Sequence, residues 1–88
     1  MEGHSVISPE VLARYAADAA AEVPGVQPKP RRGARVVGDE VEVHVVVDYG
    51  AEIPAVAAEV QRRVTEYLQR MAGVAPAAVN VVVDDVAR

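Results

Sequence analysis

The chain reads as a two-layer α+β sandwich, two helices on one face of a small mixed sheet, and three stretches predict it. Residues 41–48 alternate Val41, Val43, Val45 and Val47 with Glu42, His44 and Asp48, the two-residue period of a strand buried on one face. Residues 53–71 repeat Ile53, Val56, Val60, Val64, Tyr67 or Leu68, and Met71 at helical spacing. Residues 79–84 return to alternation, with Val79, Val81 and Val83 set against Asn80, Val82 and Asp84. A strand–helix–strand crossover makes its two strands parallel and right-handed. Since each strand has one apolar face, two amphipathic helices are enough to cover the sheet.

In chain order, Ser5-Val6-Ile7 forms either an edge strand or a frayed arm. Ser8-Pro9-Glu10 is a helix start: the serine caps, proline takes the first helical position, and the acid favours the positive end of the dipole. Val11, Leu12, Tyr15, Ala16 and Ala19 give that helix an apolar face. Pro24 disfavours helical geometry at Val23 and so ends it. Residues 24–33, PGVQPKPRRG, read as an extended loop. Arg35-Val36-Val37 is a short strand, and Gly38-Asp39 fits the type II′ turn of a hairpin. Pro54 marks the first turn of the second helix, whose solvent face offers Glu59 with Arg63 and Glu66 with Arg70 at i,i+4. Gly73 is its left-handed stop, and Pro76 keeps it from resuming. The order is (β)-α-β-β-α-β. If residues 4–7 pair, it equals the ferredoxin-like split plan, a likeness of topology without functional content.

With 88 residues the chain has room for one domain, residues 1–88. Its apolar fraction of 51% comes mostly from Val and Ala, with no Phe or Trp, so the core is thin and benefits from self-association. A net charge of −4 argues against a surface built for nucleic acid or anionic lipid. Lacking cysteine, the chain has no disulfides, thiolate metal sites or thiol catalysis. No apolar run approaches membrane-spanning length, and the start MEGHSVIS lacks the pattern of a secretory signal. The expected location is the cytoplasm, or the inner face of the cell membrane if a partner holds the chain there.

Four polar residues, His44, Asp48, Asn80 and Asp84, project from the open sheet face if the two long strands are neighbours. Imidazole with carboxylates can hold a divalent ion, but alternation alone predicts polar residues there. No metal and no cofactor is inferred, and His4 is read as a bystander. Val46 and Val82 interrupt the same face, at positions that could lie side by side, as a self-association patch. Edge strand 35–37 offers strand addition as a second route. Lys29, Arg31, Arg32 and Arg35 form the basic cluster, read as a solvated 29–35 loop that leaves open partner docking or phosphate contact with a lipid headgroup or, as the alternative function, with RNA. No GxxG clamp and no aromatic platform supports RNA binding. Ser8 is explained as a cap, Thr65 lies in mid-helix, and neither has a His–acid pairing, so no catalytic residue is assigned. Tyr15 and Tyr49 are expected to pack over the helix–sheet layer with their hydroxyls at the rim.

Three blocks resemble the alkaline shock protein, or envelope stress response, family of bacteria. They are Ile7-Ser8-Pro9-Glu10-Val11 through Ala20 to Val23-Pro24-Gly25-Val26; Val45-Val46-Val47-Asp48-Tyr49-Gly50 with Ile53, Val56-Ala57 and Val60-Gln61; and Met71-Ala72-Gly73 with Val79-Asn80-Val81-Val82-Val83. Ala72 stands where the family usually has Thr, and the segment between Val26 and Val41 is shorter than usual, which bears on any partner contact made through it. The resemblance implies a non-enzymatic, envelope-stress-related module that self-associates or docks on a small membrane protein. It supplies no catalytic residue set.

Overall fold

The computed structural model describes residues 8–27 and 33–88. The strand expected at 4–7 lies outside them, as do His4 and Ser5. Helix α1 (Pro9–Ala21) begins as its sequence dictates: the Ser8 hydroxyl accepts the Val11 N–H at 3.3 Å, with Pro9 in the first turn. Its buried residues are Ala16, Ala19 and Ala20, side chains small enough to bring the helix close to the sheet. The helix tightens at its end through Glu22 N–H to Ala19 C=O at 3.3 Å and Val23 N–H to Ala20 C=O at 3.1 Å. Gly25 then turns the chain with φ 94°, where a Cβ would meet Val56 Cγ2 at 3.2 Å.

The expected loop at 24–33 is corrected in part. Strand β1 (Val26–Gln27) pairs antiparallel with Val47 and Val46, and Asp48 N–H donates to Gly25 C=O at 2.8 Å. Two residues in a Pro- and Gly-rich run carry no periodicity; it is the distant partner that makes them a strand. Strand β2 (Ala34–Val37) is antiparallel to the start of β3 (Glu40–Asp48), joined by a two-residue turn in which Gly38 takes φ 63°. Strands β1 and β2 therefore lie end to end along one edge of β3.

Helix α2 (Ile53–Ala72) buries Val56, Val60, Val64 and Leu68, a stripe at i,i+4. The predicted ends of that stripe emerge: Ile53 is 39% exposed and Met71 47%. Gly73 stops the helix at φ 66°, its N–H to Gln69 C=O at 2.9 Å in an αL cap, with Val74 N–H to Leu68 C=O at 3.3 Å beside it. Strand β4 (Ala78–Ala87) runs parallel to the other edge of β3, completing the mixed sheet. Gln61 of α2 anchors it, donating to the Val79 carbonyl at 3.0 Å.

Val41, Val43, Val45 and Val47 meet both helices in one cluster with Val23, Ala34 and Val79. Among the described residues no polar or charged side chain is buried. Both helices cover one face, as expected, and the opposite face has no cover among the described residues.

Candidate functional site

Pairing registers place Glu40, Glu42, His44, Val46 and Asp48 of β3 on the open face. Arg35 and Val37 join them from β2, Gln27 from β1, and Asn80, Val82 and Asp84 from β4. One polar chain crosses the sheet. Arg35 Nε donates to Glu42 Oε1 at 3.1 Å, Glu42 Oε2 lies 2.5 Å from His44 Nε2, and His44 Nδ1 lies 3.0 Å from Asp84 Oδ1. A neutral imidazole has one N–H, so only the imidazolium donates to both carboxylates. The Asp84 hydrogen bond first, then that of Glu42, raises the His44 pKa above its ordinary 6.5. In return His44, then Arg35, lowers that of Glu42.

Asp84 reaches the ring from a β-bulge, where it is the extra residue. Val45 pairs with Val83, but Val46 pairs with Asp85. Of the four polar residues predicted to share this face, His44 and Asp84 come together. Asn80 Nδ2 instead donates to Glu40 Oε1 at 3.0 Å, and Asp48 accepts from Gln27 Nε2. Glu42 was missed as the second partner of His44, although its i−2 position on the same strand face signals the contact. Among the described residues no three His, Cys, Asp or Glu side chains converge as a metal site.

Val46 and Val82 share the open face but not a row, which corrects their expected side-by-side placement. Val82 stands opposite His44, and Val46 opposite Asp85. The parallel register and the bulge set that offset, and neither is encoded locally. Val82 is 37% exposed, and Val37, at 51%, adds a further valine near the β2 edge. Lys29, Arg31 and Arg32 lie outside the described residues. Arg35 lies on β2, in the strand expected at 35–37, and its guanidinium is engaged by Glu42.

On the helical side, Glu59 accepts from Arg62 Nη2 at 2.6 Å and Arg63 Nε at 2.7 Å, which hold its carboxyl down at about 2. Arg63 also reaches the Glu22 carbonyl at 3.4 Å, tying α2 to the end of α1. The expected Glu66–Arg70 pair is replaced. Glu66 takes Arg62 at 2.9 Å, and Arg70 lies over the Tyr67 ring at 5.6 Å. Tyr15 packs edge-on against Tyr67 with centroids 5.8 Å apart, at the helix layer as expected. Tyr49 does not pack there: at the end of β3 it is 67% exposed, with the Arg88 guanidinium 4.9 Å above its ring. Thr65 donates its hydroxyl to the Gln61 carbonyl at 2.8 Å.

Among the described residues no helix is long and apolar enough to cross a membrane. No curated protein and no solved structure matches the chain. The model of the alkaline shock protein family, described as having a cell envelope-related function, matches residues 31–88, the span from β2 through β4. Two of the three motif blocks, Val45 to Gln61 and Met71 to Val83, fall inside that span, so the chain belongs to the alkaline shock protein family.

Proposed function

We propose that this chain is a non-enzymatic scaffold module of the cell envelope, which self-associates or docks on a membrane-associated partner through its open sheet face. It works in the cytoplasm, and a small membrane protein holds it at the inner face of the membrane. The family's cell envelope-related function supports the setting. What supports the mode of action most is the one-sided covering of the sheet. Among the described residues every buried side chain lies in one core against the helices, while Val37, Val46 and Val82 interrupt a polar face on the other side. A valine- and alanine-built core without Phe or Trp contributes modest stability, and burying this face adds to it.

Sedimentation velocity from micromolar to near-millimolar chain tests the reading, together with capture from solubilised membranes on the immobilised chain. A mass that grows with concentration, or retention of one small membrane protein, is the expected result. A strict monomer that retains nothing would overturn it.

A further inference from the structure

The second long edge of the sheet is a docking surface of a different kind. Among the described residues β4 pairs only with β3 and no strand lies along its far side, where Gln61 takes the Val79 carbonyl. Proteins blunt such edges with Lys, Pro or inward-pointing charges. Residues 78–83, Ala-Val-Asn-Val-Val-Val, contain none of these, and the bulge falls only at Asp84.

We propose that the β4 edge pairs antiparallel with the β4 edge of a second copy of this chain, centred on Val82. This deepens, and rests on, the self-association reading above. The occupant is identified by the sequence of the edge itself. Around Val82 the run Asn80-Val81-Val82-Val83-Asp84 is self-complementary. When reversed against itself it sets Val82 opposite Val82, Val81 opposite Val83, and each Asn80 amide opposite an Asp84 carboxylate. Residues directly opposite in an antiparallel pair share a face, so the two copies form one continuous sheet. All four helices lie on one side, and both open faces on the other.

Side-chain chemistry selects this register. Asn80 uses an amide N–H on Glu40 at 3.0 Å and keeps its second for the facing carboxylate. Moving the axis to Val83 sets Val82 opposite Asp84 and loses both amide–carboxylate pairs, and moving it to Asp84 brings two carboxylates face to face, a repulsive pair. In the other direction the ladder would need the Val79 carbonyl, which Gln61 already occupies at 3.0 Å. A ladder this short puts the contact among the small, weak interfaces.

The chain has no cysteine, so a single introduced thiol reports the contact. Val82→Cys under mild oxidation is expected to give a disulfide-linked dimer on a denaturing gel. Val37→Cys, on the same face and more exposed, is expected to stay monomeric. Val82→Lys places two cations across the axis and is expected to weaken self-association by about tenfold. Crosslinking at Val37→Cys alone, or only between Val82→Cys and Val37→Cys chains when mixed, would overturn the proposal in favour of the β2 edge. Wild-type assembly that survives Val82→Lys, without an 82–82 crosslink, sinks the β4 pairing and leaves self-association standing. A wild-type chain monomeric at every concentration sinks both.

Discussion

Val45 and Val46 are consecutive, identical side chains on β3 with opposite circumstances. Val45 is 1% exposed beneath the helices, whereas Val46 sits half-buried on the open face, opposite Asp85. The two faces of one strand thus separate what holds the fold together from what is left for other molecules. On the covered face the buried side chains among the described residues are all apolar. On the open face Arg35, Glu42, His44 and Asp84 form a hydrogen-bonded chain linking three strands. The difference teaches that the core and the open face can be altered separately here, one residue apart.

The strongest way to test that separation is at Leu68, the largest fully buried side chain among the described residues. Leu68→Ala should lower unfolding free energy by about 3 kcal/mol, a large share of what so small a core supplies. Val82→Ala on the open face should change it by no more than about 0.5 kcal/mol. Urea titrations of the two variants check this, and equal losses would erase the distinction between the faces. Next comes Gly25, which turns the chain at φ 94° against Val56. Gly25→Ala combines a disfavoured backbone with a close contact and should cost about 2 kcal/mol or more. Gly50→Ala, at φ 89° with open space around it, should cost about 1 kcal/mol. Thermal melts of the pair isolate what close approach of the helix layer adds. A third test uses the neighbours themselves. Val45→Thr buries a hydroxyl without changing shape and should cost about 1–2 kcal/mol, whereas Val46→Thr should stay within about 0.5 kcal/mol.

Much of the covered face was legible because its signals are local. Alternation marked β3 and β4, Ser8-Pro9 marked the start of α1, and Gly73 marked the end of α2. The open face was legible in composition and not in pairing. His44 and Asp84 were placed on one side by alternation alone, but Glu42 as the third member depends on how the ring lies. The offset of Val46 from Val82 depends on a parallel register and a bulge set by residues far apart in sequence. Strand β1 escaped notice for the same reason: Val26 and Gln27 acquire strand geometry only from Val47 and Val46. On α2, Arg62 lies within reach of both Glu59 and Glu66, so spacing alone could not say which arginine Glu66 would take.

The smallest expected effect distinguishes a cationic clasp from ordinary surface polarity. Because its two carboxylate partners raise the His44 pKa above 6.5, the folded chain binds that proton more tightly than the unfolded one. The stability this contributes is fully present below pH 6.5 and is lost as pH rises through the raised value. The Glu42 pKa is lowered from 4.5, so its share is present above that pH and lost as pH falls through the lowered value. Between the two shifted values both groups are charged and the chain from Arg35 to Asp84 is complete. His44→Gln retains a hydrogen-bonding amide but cannot become a cation. The gap in melting temperature between wild type and His44→Gln should therefore be widest near pH 5.5–6, shrink as the solution turns alkaline, and close again in strong acid. Melts across that range read the profile directly. A gap of constant size would mean that the ring serves only to fill space, and the open face would then differ from the covered one in exposure alone.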